Sequence, residues 1–165
     1  MISLRHTTLA DAEGVCACVG AVASERRWLA SVRAFSLEET RSFLADLLRN
    51  GGVQIIAVSA STVVGWCDIT PVPHEGMTHV GRLGIGLLPA YRRQGLGARL
   101  LNQTVRSAFD KGLSRIELEV FASNLAAIHL YERTGFVTEG RKRRARIIDG
   151  TEDDILVMAI LREVA

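Results

Sequence analysis

The stretch "PAYRRQGLGARLL", residues 89–101, sets two arginines, a glutamine and two glycines directly ahead of a strongly amphipathic run. A turn that only reverses the chain has simpler solutions, such as Asn-Gly or Pro-Asp. Here glycines, which let another group come close to the backbone, lead into a helix whose first N–H groups have no partner of their own. Such a junction suits an anion held by main-chain N–H groups. Three phosphate-binding patterns compete for it. A dinucleotide fingerprint, G-x-G-x-x-G, needs a third glycine where Leu100 stands. A nucleoside-triphosphate loop needs a Gly-Lys-Ser/Thr ending, which "GLGAR" lacks. The third, Arg/Gln-x-x-Gly-x-Gly/Ala, is met by Arg92, Arg93, Gln94, Gly95, Leu96 and Gly97, and binds a pyrophosphate. The plain alternative is a tight turn with solvated arginines.

Upstream, "THVGRLGIGLL" (78–88) reads as a strand that stops at Pro89. Downstream, Leu96, Leu100, Leu101, Val105, Ala108 and Phe109 recur at helical spacing until Gly112. "SRIELEVFA" (114–122) alternates, with Ile116, Leu118 and Val120 on one face and Glu117, Glu119 and Phe121 on the other. "SNLAAIHLYERTG" (123–135) is a short helix with polar residues at its start and Gly135 as its stop. Toward the N-terminus, "ISLRHTT" is a first strand, and Asp11 opens a helix reaching about Ala23. Residues 36–50 form a clearer helix, with a Ser36/Glu39 capping box, an apolar face of Leu37, Phe43, Leu44, Leu47 and Leu48, and Gly51 as terminator. "VQIIAVS" and "TVVGWCDIT" form a hairpin about Ala60-Ser61, and "PVPHEGM" is a loop. The last two strands, "FVTEGRKRRARI" and "DDILVMAIL", join through Asp149-Gly150. The order is β-α-α-β-β-β-α-β-α-β-β, an α/β (α+β) fold with a mixed sheet and helices on its faces.

A chain of 165 residues is expected to form a single domain over 1–165, with a core large enough to need neither disulfide nor metal. Its 48% hydrophobic and 23% charged content argue against disorder, and a net charge of +2 is too small to draw nucleic acid or membrane. Cys16, Cys18 and Cys67 form no C-x-x-C and read as small apolar residues in a reducing compartment. No stretch is apolar enough for a signal peptide or a membrane span, so a cytoplasmic location is expected.

"LEVFASNLAAIHLYERTGF" (118–136) completes a pattern. From about Val80 to Phe136 the chain resembles the GNAT superfamily of acetyl-CoA-dependent N-acetyltransferases. The spacing from glycine turn to Glu119, Asn124 and Tyr131 is similar to that of bacterial ribosomal-protein alanine N-acetyltransferases. The resemblance implies a fold with a mostly antiparallel central sheet, in which the strand before the turn splays from the next and the acyl-pantetheine arm lies in the opening. It implies that the backbone of Ile85, Gly86 and Leu87 holds that arm and steadies the thioester carbonyl. Arg92, Arg93, Gln94, Gly95, Leu96, Gly97 and Ala98 would hold the pyrophosphate, mostly through main-chain N–H groups, with Arg93 reaching the nucleotide phosphates. Glu119 would take the amine's proton through a water, with Glu117 as substitute, and Tyr131 would protonate the departing thiolate. Asn124 would both cap its helix and touch the pantetheine arm. Acetyl-CoA is then the co-substrate, no metal is implied, and the amine attacks directly.

Other readings of the same residues stay open. Glu119 could be an arginine-paired carboxylate, and Tyr131 an aromatic that packs its helix beside Leu130 and Phe136. His129 reads as a surface residue, His74 and His79 as solvated loop histidines, and Trp28, Phe35 and Trp66 as core. "RKRRAR" (141–146) reads as one side of cross-strand charge pairs with "EDD" (152–154) rather than a nucleic-acid patch. One rival is a non-catalytic acyl-CoA-binding sensor, and another a nucleic-acid-binding protein using 141–146. The expected partners are acetyl-CoA and an amine acceptor, without nucleic acid or membrane, and a homodimer is compatible with this. The acceptor-binding segments (the first two helices, residues 71–78 and the last hairpin) carry no legible motif. The acceptor is therefore a small molecule or a protein N-terminus, with "WLASVRAFSLEETRSFL" (28–44) leaning toward the former.

Overall fold

Apolar alternation, with one continuous apolar run and one largely charged edge, gives seven strands, and apolar residues at helical spacing give four helices. The computed structural model describes residues 1–164. In chain order the elements are β1 (Ile2–His6), α1 (Ala12–Ser24), α2 (Leu37–Arg49), β2 (Val53–Ser59), β3 (Thr62–Pro71), β4 (Val80–Leu87), α3 (Leu96–Asp110), β5 (Arg115–Phe121), α4 (Leu125–Thr134), β6 (Val137–Ile148) and β7 (Thr151–Leu161). Three single 3-10 turns, Leu9–Asp11, Glu75–Met77 and Pro89–Tyr91, lie between them. All strands join one sheet in the order β1-β2-β3-β4-β5-β7-β6. Every neighbouring pair is antiparallel except β4–β5. This is the mixed, mostly antiparallel α/β architecture read from the sequence.

The larger core cluster joins Leu96, Leu100, Leu101 and Val105 of α3 and Ile128 and Tyr131 of α4 to Ile55, Cys67, Ile69, Ile116 and Met158 of the sheet. On the opposite face, Val15, Cys18 and Val22 of α1 pack on Ile56, Val63 and Trp66. Strand β2 is thus covered on both faces, which is why its sequence is a continuous apolar run rather than an alternation. The capping box at α2 is present, with the Glu39 N–H donating to Ser36 Oγ and the Ser36 N–H to Glu39 Oε2. Its apolar face is narrower than expected. Leu44 and Leu47 are buried, whereas Phe43 and Leu48 are about 40% exposed, because α2 lies alongside α1 at the edge of the sheet rather than across it. Both two-residue hairpins place both central residues at positive φ, Ala60 and Ser61 in one, Asp149 and Gly150 in the other. That backbone twist matches the strands it joins. Among the described residues no helix is long and apolar enough to cross a membrane.

Candidate active site

The site begins where the sheet comes apart. Strands β4 and β5 are in register only at Val80↔Arg115, Gly81↔Ile116 and Arg82↔Glu117. Beyond Arg82, β4 stays bonded to β3 as far as Gly65↔Leu87, and β5 stays bonded to β7 as far as Phe121↔Ile155. The two central strands therefore diverge into a slot, with the edge of Leu83–Leu87 on one side and that of Leu118–Phe121 on the other. Main-chain polar groups in the middle of a sheet require partners, so such a slot suits an extended, amide-bearing chain. Gly86 is a glycine for a different reason: a Cβ there would stand 2.2 Å from the Trp66 ring, which lies across it.

The glycine turn closes the wide end. Arg93 and Gly95 both have positive φ, +60° and +77°, and Gly95 caps α3. Among the described residues, none of the six main-chain N–H groups from Arg93 to Ala98 donates to another protein group, while their neighbours at Arg92 and Arg99 donate to Pro89 O and Gly95 O. Six consecutive free donors at a helix N-terminus, reinforced by the helix dipole, suit an anion. A Cβ on Gly95 would meet nothing within 4 Å, so its glycine serves the left-handed backbone and open approach. A Cβ on Gly97 would stand 3.3 Å from Leu130, so that glycine lets α3 pack close to α4. The Gln94 side chain locks the turn by donating to Ala90 O at 2.8 Å.

Arg92 does not belong to this cradle, contrary to expectation. Its N–H is used by Pro89 O, and its guanidinium donates to Leu87 O at 2.9 Å and to both Glu25 oxygens at 2.8 and 2.5 Å. The Arg92 guanidinium, with help from the Trp28 indole, holds the Glu25 carboxyl below the usual range. Arg92 instead ties the end of β4 to the end of α1. Arg93 is exposed, and among the described residues its guanidinium makes no ion pair.

Tyr131, on α4, lies on the α3/α4 face of the sheet. It is buried, its ring tilted against Phe136 at a centroid distance of 5.8 Å, so it packs α4 on the sheet. Burial pushes its phenol well above the ordinary value, and proximity to Cys67 adds to this. Cys67 lies opposite Ile85 in the β3–β4 register, so the phenol approaches the slot-facing strand pair. Among the described residues the hydroxyl has no hydrogen-bond partner. Asn124 caps α4, its Oδ1 accepting from the Ala127 N–H at 3.2 Å.

The Acetyltransferase (GNAT) family matches residues 22–136, a span that takes in the slot, the turn and Tyr131. This chain belongs to the acetyltransferase (GNAT) family. Over 118 residues it is 31% identical to the L-amino acid N-acetyltransferase AaaT of Escherichia coli (strain K12), covering 70% of this chain and 71% of that protein. Over 76 residues it is 38% identical to the ribosomal protein bS18 alanine N-acetyltransferase of the same organism, covering 46% of this chain and 51% of that one. That match spans about half of the relative's length. Among solved structures, the acetyltransferase of GNAT family from Streptococcus pneumoniae superposes with a TM-score of 0.92 at 27% identity, covering 98% of this chain and 100% of that chain.

Like the slot, the opposite face of this GNAT sheet is best read through the register. Glu117 and Glu119 both point to the α1 side. Glu117 is held by Arg115 at 3.1 Å and Arg82 at 3.5 Å. Glu119, half exposed, is ion-paired with Lys142, not with an arginine. Cross-strand pairing between 141–146 and 152–154 is present, with Arg141–Asp154 at 2.6 Å and Arg144–Glu152 at 2.5 Å, so 141–146 is largely a charge ladder. Arg146 continues it, opposite Asp153 at 3.9 Å, and does more. Only 12% exposed, it stacks 3.9 Å from the Phe121 ring and donates to Arg27 O at 3.0 Å. Together with the two-pronged Arg26–Asp149 pair (2.7 and 3.0 Å), it fastens the segment after α1 to the β6–β7 hairpin, across the wide end of the slot. Trp66 is core as expected, but Trp28 is half-buried, bonded to Glu25 and covered by Arg27, and Phe35 is 39% exposed. His74, His79 and His129 are exposed. Among the described residues no group of three or more His, Cys, Asp or Glu side chains is placed to hold a metal ion.

Proposed function

We propose that this chain transfers the acetyl group of acetyl-CoA to a primary amine, by direct attack of the amine. The observation that carries the reading is one continuous feature, an unpaired β4 edge leading into six free N–H groups at the start of α3. It suits a ligand with an amide-bearing arm joined to a pyrophosphate, which is what CoA offers. Acetyl-CoA supplies an acyl group already activated as a thioester. Arg93 through Ala98 bind the pyrophosphate, and the backbone of Ile85, Gly86 and Leu87 orients the arm. The Tyr131 phenol, kept protonated by burial, gives its proton to the departing sulfur. An amine with a pKa near about 10 arrives protonated. Glu119 takes that proton through a water, in competition with Lys142 for the same carboxylate.

The longer match to an amino-acid acetyltransferase supports a small amine or free amino acid as acceptor over a protein N-terminus. Thermal unfolding with acetyl-CoA, NAD and adenosine tests the ligand assignment. Acetyl-CoA at 100 times its Kd should add about 2.7 kcal/mol and raise Tm by roughly 5–10 °C, the others far less. Equal shifts from NAD and acetyl-CoA would end this account.

A further inference from the structure

An incoming amine reaches the slot from the α1 side, because α3 and α4 fill the other face. On that side the register sets Gln54, Asp68 and Gly84 in one row across β2, β3 and β4. Glu119 continues the row on β5, two positions past the Arg82↔Glu117 pair, beyond the slot. Two carboxylates therefore flank the opening.

Their surroundings differ. Glu119 has Lys142 and Glu117 has two arginines, whereas Asp68 has no cation among the described residues. Its one hydrogen bond from β2 is a long 3.5 Å contact from Gln54 Nε2, and the Trp66 indole helps from its own strand. Gln54 is itself 2% exposed, and its Oε1 finds no donor. Opposite them Gly84 adds no side chain, a Cβ there lying 3.5 Å from the Asp68 carboxylate. Asp68 is closely surrounded but keeps part of its surface open. A carboxylate without a cation and a carbonyl oxygen without a donor, side by side, suit a positive group with several N–H donors. An ammonium supplies three donors and the charge.

We propose that Asp68 is the acceptor-binding residue of this site, receiving the acceptor's ammonium group across the slot from Glu119. The acceptor is thus a free primary amine that arrives as a cation, and Asp68 holds it while Glu119 removes its proton. This rests on the acetyl-transfer reading. Burial pushes the Asp68 carboxyl up to about 7, so its hold on an ammonium strengthens as pH rises through that value. No other charge facing Asp68 accounts for such a profile. The inward residues of α1 and α2 (Val15, Cys18, Val22, Thr40, Leu44 and Leu47) carry none at that pH, the Cys18 thiol being pushed up to about 12. On the neighbouring strands, Arg82, Glu117 and Glu119 are already paired.

The test measures thiol release by the wild-type chain with free L-amino acids, ethanolamine and an alanine-first tripeptide, then takes the best acceptor to Asp68→Asn and Asp68→Ser. Both should raise the amine KM about 10- to 100-fold at pH 8, the worth of one charged hydrogen-bonded contact, while the acetyl-CoA KM changes less than about twofold. The fall of amine KM between pH 6 and 8 should vanish in both. Unchanged amine KM and pH profile, with wild-type turnover intact, would overturn the assignment of Asp68 alone. Loss of acetyl-CoA affinity in both variants would make Asp68 structural and also overturn it. A wild-type chain that binds acetyl-CoA but acetylates no amine overturns the parent reading and this one together.

Discussion

Replacing Asp68 with Asn should stabilise the protein by an amount that grows as pH rises from about 4 to about 7 and is complete above that. The carboxyl titrates near about 7 in the folded chain, because burial penalises its charged form and neither Gln54 nor Trp66 offsets that. An unfolded aspartate titrates near about 3.9. Below pH about 4 both states are protonated, and Asp68 imposes no charge penalty. As pH rises from about 4 to about 7 the unfolded chain releases its proton while the native one keeps it, so stability falls; above about 7 the loss is complete. Three pH units at about 1.4 kcal/mol each give about 4 kcal/mol, and the carboxylate's partial opening to solvent reduces this to about 2–4 kcal/mol. Asn keeps the shape, and its amide can donate to the unpaired Gln54 Oε1. For a chain of this length the gain corresponds to a Tm increase of roughly 5–10 °C at pH 8, against almost none at pH 4. Circular-dichroism melts of both proteins between pH 4 and 9 read this directly, since every other titrating group is common to the two. A variant that melts below wild type at pH 8, or follows the same pH profile, would refute the reasoning.

Two further substitutions probe the slot. Tyr131→Phe should lower kcat by roughly 10²- to 10⁴-fold, with acetyl-CoA affinity and Tm nearly unchanged, because the lost hydroxyl makes no hydrogen bond within the protein; stopped-flow thiol release and a melt measure the two effects, and a near-normal kcat would remove it as the acid. Gly95→Val should weaken CoA binding in calorimetry more than Gln94→Ala, since it burdens a φ of +77° and blocks the free N–H groups, and the opposite order would exclude a main-chain cradle.

The opening between β4 and β5 was expected only through the family resemblance, whereas periodicity and the glycine turn made the elements, their order and the exposed start of α3 legible. These are local patterns, and their geometry follows within a few residues. What stayed hidden depends on register between distant strands. Arg92 looked like part of the glycine turn because it adjoins it, yet its long side chain turns back to Glu25, 67 residues earlier in the chain. Lys142 belonged visibly to a basic run, but which carboxylate it meets is decided by the pairing of β6 with β7 and β7 with β5. Asp68 sits in an apolar run, "VVGWCDIT", where a lone acid reads as a strand's solvent face. Only the β2–β3–β4 register sets it between a buried amide and a glycine. The two glycines of the turn could be recognised together but not told apart, since Gly97 answers to Leu130 on a helix that begins 28 residues later.

The charge pattern around the slot follows from these pairings. At its wide end, six free N–H groups, the start of a helix dipole and the unpaired Arg93 favour an anion. On the α1 side, Asp68 and the Gln54 carbonyl oxygen favour a cation. Between them the other charged side chains of β4 and β5 are neutralised, Arg82 and Arg115 by Glu117, with Glu139 also on Arg115, and Glu119 by Lys142, as is Arg92 after β4 by Glu25. Uncompensated polarity costs stability wherever it is buried, so the Asp68 carboxylate and the Gln54 carbonyl oxygen, left unanswered beside paired neighbours, suit a partner of opposite sign. A cationic amine is such a partner, as a polyanionic cofactor is for the wide end. Each would be drawn to its own end of the opening, and the reacting carbon and nitrogen would be left facing one another between Tyr131 and Glu119.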